Sequence, residues 1–297
     1  MNRRDFIVNA SLSAGIFTSI PDRMSAFTAP KYKMGYQLFS VRGAMAQNPI
    51  QTLAELKAMG YEDFEIYGFD EAKSAYYGFA ATEFKKQLDD LGISVSSGHY
   101  GFAPFLQKSN EDLLRYVDQC IAAAKILRSK YITWPYLDPA QRSIENFKLL
   151  TTKLNLIGEQ VTKAGLGFAY HNHGFEFEDY NGQTGFEIIT KETDSTLVKL
   201  QMDMYWVMHS SKFTPKQLIE KHPGRFVMWH IKDMDKISRD YTELGNGSIN
   251  YLEQLPNPVK SGLEYYFLEQ GGNFAKNPMQ SAADSARYFK QHLQKYL

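Results

Sequence analysis

The feature that most constrains this chain is a regular alternation of short apolar runs with longer segments of helical spacing. Eight runs rich in apolar, β-branched and aromatic residues have the composition of buried strands. They cover residues 34–40, 63–68, 93–98, 131–136, 166–171, 198–203, 226–231 and 265–270. The segments between them carry helical patterns, and several end in glycine, which favours a left-handed helix cap. This alternation predicts a parallel sheet covered by helices.

Chain length decides between a closed and an open sheet. Eight strand–helix units in 297 residues match the size of one closed (β/α)8 barrel. An open doubly wound sheet is the alternative, but the first strand leads into GYQLFSVRG and not into a glycine-rich phosphate loop. We therefore expect an α/β fold, a single (β/α)8 TIM barrel over residues 30–297, preceded by a removable N-terminal signal segment.

The N-terminal signal segment is predicted over residues 1–29. Arg3 and Arg4 form a twin-arginine pair ahead of a moderately apolar run, and small residues follow as far as Ala29. The run is too short and too polar to span a bilayer, so it predicts a twin-arginine export signal and a periplasmic or exported protein. An amphipathic helix packed on the barrel is the structural alternative.

Charge and cysteine content exclude several partners. The chain has 33 basic and 33 acidic residues, a formal net charge of zero and no basic stripe, so nucleic acid is not an expected partner. The rest of the chain has no apolar stretch long enough for a membrane span. Cys120 is the single cysteine, so a bound metal would be held by nitrogen and oxygen. The sequence leaves open whether the protein forms a homo-oligomer.

Polar side chains accumulate where the predicted strands end, which is where barrels of this type place their chemistry. Four of the seven histidines lie within a few residues of a strand end. Histidines and carboxylates without a thiolate suit Mn²⁺, Mg²⁺ or Zn²⁺, and such an ion stabilises an enediolate. The polar residues at these ends include Gln37, Arg42, Glu65, His99, His171, His173, Glu176, Asp203, His230, Lys232 and Glu269.

Three of these residues also have purely structural interpretations. Asp203 lies inside an apolar run, where a salt bridge to a basic residue would satisfy it. His230 lies between Met228-Trp229 and Ile231 and could be a core histidine bonded to a carbonyl. Glu269 ends an apolar strand and could be a solvent-exposed charge without a specific role.

Several motifs together resemble the xylose isomerase-like TIM barrel superfamily, within it the exported sugar phosphate isomerase/epimerase branch. The motifs are GYQLFSVRG (35–43), YHNHGFEF (170–177), MDMYWV (202–207), WHIKDM (229–234), ELGNGSIN (243–250) and FLEQG (267–271). The resemblance covers about residues 33–296. It implies a barrel that holds a divalent metal (Mn, Mg or Zn) through side chains of its later strands and acts on a small-molecule sugar.

The resemblance also implies a ligand set, and this sequence departs from it at one position. Strand five ends in histidines where sugar epimerases of the superfamily have a glutamate, so the fourth ligand is expected a few residues later. The implied ligands are Asp203, His230 and Glu269, with Glu176 as the fourth and His171 or His173 as substitutes.

The remaining polar and aromatic residues are assigned to catalysis and substrate binding. His171, His173 or Glu65 would move protons. Lys232 and His99 would hold hydroxyls or stabilise negative charge. The other substrate contacts are expected from Gln37, Arg42 and the stacking aromatic residues Trp134, Tyr205 and Trp206.

These assignments favour a metal-dependent sugar or keto-sugar isomerase or epimerase that works through an enediolate. A lyase or dehydratase acting on 3-keto-glycosides or keto-inositols by β-elimination is the alternative, because strand five is rich in histidine and Trp206 stands where epimerases commonly have histidine. Two further alternatives are a phosphodiesterase related to endonuclease IV and a non-catalytic periplasmic sugar-binding module.

Overall fold

The computed structural model describes residues 31–297, so the predicted signal segment over 1–29 lies outside the described residues. Eight strands form a closed barrel in which every neighbouring pair is parallel, and the first strand pairs with both the second and the last. The strands are β1 (Gly35–Gln37), β2 (Asp63–Ile66), β3 (Ser94–His99), β4 (Tyr131–Trp134), β5 (Gly167–His171), β6 (Lys199–Asp203), β7 (Phe226–Ile231) and β8 (Tyr265–Leu268). The prediction of a closed barrel is confirmed.

Helices follow the strands and cover the outside of the barrel. The predicted helical segments are confirmed, and their ends follow local chemistry. For example, the Ser109 side chain accepts from Asp112 N at the start of one helix, and Gly92 takes φ 61° at the end of another. The helices are α1 (Arg42–Gln47), α2 (Pro49–Ala58), α3 (Ala81–Leu91), α4 (Asn110–Leu127), α5 (Ile144–Lys163), α6 (Gly185–Glu192), α7 (Met204–Ser210), α8 (Pro215–Lys221), α9 (Tyr251–Gln254), α10 (Pro258–Ser261) and α11 (Pro278–Tyr288).

The period-two geometry of the strands separates apolar from polar layers inside the barrel. Ala169, Met228 and Phe267 belong to a small apolar cluster that is distinct from the larger core. Each of them lies two positions before a histidine or an acid, His171 and His230 on the same strand and Glu269 just after β8, and residues two positions apart on a strand face the same side. The apolar layer therefore supports a polar layer nearer the carboxyl ends of the strands.

Two excursions at the carboxyl ends of the strands were not predicted. Between β2 and α3 the chain forms a small antiparallel sheet of Phe69–Asp70, Ala75–Tyr76 and Phe79–Ala80. After β7, Asp233–Met234 pairs with Tyr241–Thr242. The sequence patterns in both are too short to be recognised as strands.

The GNGSIN motif is a loop held by one carboxylate. Asp233 accepts from the backbone nitrogens of Gly245, Gly247 and Ile249. A Cβ atom at Gly247 would lie 2.1 Å from Asp233 Oδ1, so the loop requires glycine there. Within residues 31–297, no helix combines the length and the apolarity that a membrane crossing needs.

Candidate active site

Three residues that the sequence places far apart converge at the carboxyl end of the barrel. The strand register aligns His230 with Asp203, and Glu269 N donates to Ile231 O at 3.2 Å. One ligand atom each from Asp203, His230 and Glu269 lies within 4.8 Å of the others. Barrel closure therefore assembles the two carboxylates and the imidazole that the resemblance implied.

Lys232 bridges the two carboxylates of this group. Its Nζ lies 2.6 Å from Asp203 Oδ2 and 2.8 Å from Glu269 Oε2, and the residue is only 3 % exposed. Burial opposes the charged lysine, but the two acids outweigh it and raise the pKa of Lys232 above its ordinary value. Burial likewise works against the ionised Glu269, yet Lys232 and His230 hold the pKa of Glu269 below its ordinary value. We call Asp203, His230, Lys232 and Glu269 the upper layer.

The imidazole of His230 connects this upper layer to a second carboxylate beneath it. His230 Nδ1 pairs with Glu269 Oε2, and His230 Nε2 pairs with Glu65 Oε2. Burial alone would lower the pKa of His230, but the two carboxylates raise it to about 9. A histidine whose second nitrogen meets a carboxylate is held in one orientation, as metal-binding histidines usually are.

Glu65 is fully buried in this deeper level, which we call the lower layer: Glu65, Gln37, Ser97 and Gln201. Gln37 Nε2, Ser97 Oγ and Gln201 Nε2 each donate to the Glu65 carboxylate at 2.6 Å. Burial would raise the pKa of Glu65, but His99 and His230 hold it well below the ordinary value. Neither Glu65 nor Gln37 lines the cavity above. The structure thus places Glu65, an expected proton-transfer residue, and Gln37, an expected substrate contact, beneath the cavity and not in its wall.

Three histidines approach one another beside the upper layer. The ring centroid of His171 lies 5.0 Å from that of His99 and 4.8 Å from that of His173. It also lies 4.6 Å from the ring centroid of His230 in the upper layer. Burial holds the pKa of His171 and of His173 well below the ordinary value, and neighbouring imidazoles and Lys232 add to this effect. Both rings are therefore neutral at neutral pH and can accept a proton.

His171 and His173 also retain free hydrogen-bonding capacity. The Nδ1 atoms of both rings are buried and have no partner within residues 31–297. His171 Nε2 lies 3.7 Å from Asp203 Oδ2, and His99, His171 and His230 form a second group whose ligand atoms lie within 4.8 Å. His171 therefore lies beside Asp203 but belongs to a different group from that of Asp203, His230 and Glu269.

Glu176, the expected fourth metal ligand, lies elsewhere. It belongs to a short 3-10 turn after β5, where its carboxylate accepts from Tyr170 Oη at 2.7 Å and from His173 N at 2.8 Å. It is in neither of the groups that could hold a metal among the described residues. The turn folds the carboxylate back against its own strand, and burial raises the pKa of Glu176 to about 8.

A cavity of about 760 Å³ opens above the upper layer. His99, His171, His173, Lys232 and Glu269 form its polar floor. Most of the remaining wall is aromatic, and it includes Phe39, Tyr67, Phe69, Phe105, Tyr136 and Tyr241. A concave, largely apolar cavity with a few converging polar groups is typical of a small-molecule site.

Five of the six expected substrate contacts do not line this cavity, Gln37 in the lower layer and four others. Trp134 is fully buried, and its Nε1 donates to Tyr136 O at 2.8 Å. Tyr205 is buried as well, and its Oη donates to the backbone carbonyl of Arg239. Trp206 packs with its ring centroid 5.8 Å from that of His173. Arg42 is exposed and donates to two backbone carbonyls at the mouth. These aromatic side chains serve packing, and only His99 among the six expected substrate contacts faces the cavity.

Sequence reasoning missed the aromatic wall because its residues lie in loops and excursions. The signal was present: YGFDEAKSAYYGF over 67–79 is an unusually aromatic connection after β2. Tyr67 and Phe69 from that segment line the cavity. A long connection at the carboxyl end of a barrel strand is a common place for binding residues.

A closed parallel barrel with a polar-floored cavity at its carboxyl end defines a (β/α)8 protein with a candidate small-molecule site. The chain belongs to the xylose isomerase-like TIM barrel family, whose sequence profile matches residues 53–291. No curated protein sequence matches the chain.

Solved structures share the fold over nearly the whole chain. A sugar phosphate isomerase/epimerase from Parabacteroides distasonis ATCC 8503 is 26% identical, with TM-score 0.75, over 92% of this chain and 98% of that chain. The IolI protein with a bound zinc atom is 15% identical, with TM-score 0.69, over 89% of this chain and 99% of that chain. An L-ribulose 3-epimerase is also 15% identical, with TM-score 0.69, over 89% of this chain and 95% of that chain. The last two show a shared fold.

Proposed function

We propose that this chain is a divalent-metal-dependent isomerase or epimerase of a sugar or keto-sugar, working through an enediolate intermediate. The observation that carries the proposal is the convergence of Asp203, His230 and Glu269 at the edge of a cavity that also receives two neutral histidines. The similarity to a sugar phosphate isomerase/epimerase and to an L-ribulose 3-epimerase supports the substrate class.

The residues present fit a divalent ion. Two carboxylates and one imidazole supply hard and borderline donors, and His171 is close enough to Asp203 to be the fourth. Lys232 would have to release the carboxylate oxygens that it now holds. When bound, such an ion would polarise the substrate carbonyl and stabilise the negative charge of an enediolate. Zinc bound to the related IolI fold supports this assignment.

His173 is the preferred proton acceptor. It lines the cavity, its ring is neutral, and its Nδ1 has no partner among the described residues. It can therefore remove a proton from the carbon next to the substrate carbonyl. Lys232 also lines the cavity, and its ammonium can donate a hydrogen bond to the developing oxyanion.

A lyase is the second candidate, because one observation weakens the epimerase mechanism. Epimerisation needs two opposed acids or bases on the two faces of one carbon. Glu71 and Glu269 are the carboxylates that line the cavity, and Glu269 is already engaged by Lys232 and His230. A single neutral base suits enolisation followed by β-elimination from a 3-keto-glycoside or keto-inositol.

One assay separates the two candidates. Protein supplied with Mn²⁺, Mg²⁺ or Zn²⁺ is incubated with ketohexoses and, separately, with 3-keto-glucosides. Formation of an epimer supports the isomerase, and release of the aglycone supports the lyase. Protein stripped with a chelator should lose the activity and regain it when the metal returns. Turnover that survives complete metal removal would refute the metal-dependent mechanism.

We also propose that residues 1–29 direct export through the twin-arginine pathway, so that the mature protein is periplasmic or exported. The support is the sequence alone, Arg3 and Arg4 ahead of an apolar run. Cell fractionation with Arg3→Lys and Arg4→Lys together as the matched variant tests it. A mature protein found in the cytoplasm in both cases would exclude this route.

A further inference from the structure

The cavity is divided into two chemically different halves. The floor is polar, and β5 to β8 and the residues after them supply four of its five side chains: His171, His173, Lys232 and Glu269. The outer half is mainly aromatic, and most of it is supplied by the segments that follow the first four strands, with Tyr241 added from the segment after β7. A single sugar ring on the floor would leave most of a cavity of about 760 Å³ unfilled.

The outer half contains rings from four separate segments. Phe39 lies in the 3-10 turn after β1, and Tyr67 and Phe69 lie in the connection after β2. Phe105 ends a 3-10 turn after β3, and Tyr136 follows β4. We call these five residues the aromatic subsite. Phe39 and Tyr136 are 41 % and 37 % exposed, and with the other three rings they line one cavity, so their apolar faces are open to a ligand.

The two most exposed rings are held in place by cations. The Arg42 guanidinium lies 4.6 Å from the centroid of Phe39, and that of Arg142 lies 5.2 Å from the centroid of Tyr136. Arg142 Nη2 also donates to Tyr136 Oη at 2.7 Å. Tyr67 packs edge-on against Phe39 with centroids 5.3 Å apart. Rings that are already fixed lose little conformational freedom when a ligand stacks on them.

Apart from tyrosine hydroxyls, the polar side chains that line the outer half among the described residues are Glu71 and Lys108, and the Lys108 ammonium lies 4.6 Å from the centroid of Phe105. No arginine lines the cavity within residues 31–297, since Arg42 and Arg142 are turned to the backbone carbonyls of Gly271 and Leu137. A phosphate would therefore find no bidentate partner there. A second sugar ring would need partners for its hydroxyls, whereas a flat apolar group needs only ring faces and edges.

We propose that the aromatic subsite binds an aryl group joined to the sugar through a glycosidic bond, so that the preferred substrates are aryl glycosides of a keto-sugar and not free monosaccharides. This inference rests on the proposed function, because it places the sugar itself on the polar floor. The aryl group stacks among Phe39, Tyr67 and Tyr136 while the glycosidic bond spans the boundary between the halves.

Equilibrium binding of simple glucosides tests the inference without any turnover. Phenyl glucoside and methyl glucoside, each as both anomers, are titrated by calorimetry. We expect at least one phenyl anomer to bind about tenfold tighter than its methyl counterpart, the sum of two aromatic contacts. Phe39→Ala and Tyr136→Ala should each reduce that preference, the ratio of the phenyl to the methyl glucoside affinity, about threefold to tenfold.

Phe213→Ala is the matched control. Phe213 has the same 37 % exposure as Tyr136 and also carries a cation, Lys221 at 4.4 Å, but it lines a different groove. It should leave the phenyl preference intact. Equal binding of phenyl and methyl glucosides, no binding of either in the millimolar range, or a preference that survives both rim substitutions would overturn the aromatic subsite. Maltose that binds as tightly as phenyl glucoside would instead assign the outer half to a second sugar.

Failure of this inference and failure of the proposed function are distinguishable. A phenyl preference in a protein that turns over neither ketohexoses nor 3-keto-glucosides would leave the aromatic subsite standing and remove the isomerase and lyase. Turnover of a ketohexose without any phenyl preference would support the isomerase and refute the aromatic subsite.

Discussion

The upper and lower layers both contain buried carboxylates, but they balance their charge in different ways. In the lower layer, three neutral side chains donate to Glu65, in addition to the contact with His230. In the upper layer, Asp203 and Glu269 share one lysine ammonium beside an open cavity. A carboxylate saturated by fixed donors stabilises structure, whereas one balanced by a flexible cation can exchange that partner for a ligand.

Removing a carboxylate from the upper layer should have the largest effect. We expect Asp203→Asn or Glu269→Gln to abolish stoichiometric metal binding and to lower kcat/KM by at least a thousandfold, because each removes a ligand charge and a partner of Lys232. Elemental analysis measures the metal content, and steady-state kinetics on the substrate that the incubation assay identifies measure kcat/KM. A variant that kept both its metal and its turnover would contradict the metal-binding and catalytic role of the upper layer.

Replacing His173, the proposed base beside the upper layer, tests whether this side chain transfers the proton. His173→Asn should lower kcat about a hundredfold to ten-thousandfold while metal content is retained, with the exposed His292→Asn as control. In the unmodified protein the basic form of His173 should persist as pH falls through 6.5, since burial holds the pKa of His173 well below that value. The acidic limb of the kcat profile should therefore lie below pH 6.5. A limb at or above 6.5 would assign the proton transfer to another group.

Replacing a carboxylate by its amide in the lower layer should give a smaller loss of activity than in the upper layer. Glu65→Gln leaves His230 without the carboxylate that orients it, so metal affinity should fall about tenfold to a hundredfold. Stability should also drop by about 3–5 kcal/mol, because the buried His230 loses a negative charge that it pairs with. Metal titration and chemical denaturation measure the two effects. A loss of turnover as complete as in Asp203→Asn, with metal affinity unchanged, would make Glu65 a catalytic residue after all.

The smallest effect is expected at Glu176, a third buried carboxylate outside both layers. Because burial raises the pKa of Glu176 to about 8, its protonated form stabilises the fold fully below the unfolded pKa near 4.5. That contribution is lost as pH rises through about 8. Glu176→Gln should therefore leave metal content unchanged and raise Tm at pH 9 by about 2–4 °C, with a smaller change at pH 5. Loss of bound metal in this variant would restore Glu176 as a ligand.

The sequence predicted the barrel well because its signals are local. Strand and helix periods, and a left-handed cap such as Gly92, are set by backbone geometry and are visible along the chain. Asp203, His230 and Glu269 could be selected because each ends an apolar strand whose partners meet at one edge. Glu176 was misplaced since a turn of the chain after β5, invisible to periodicity, aims its carboxylate back at Tyr170.

What the sequence by itself determined is the order and type of the elements and the edge of the barrel that carries the polar residues. Only the tertiary structure decided that Lys232 lies between two acids, that Glu65 supports His230 from below, and that loop aromatics form the outer cavity. The reason is distance along the chain. Glu65 and His230 are 165 positions apart, and only closure of the barrel brings them into contact.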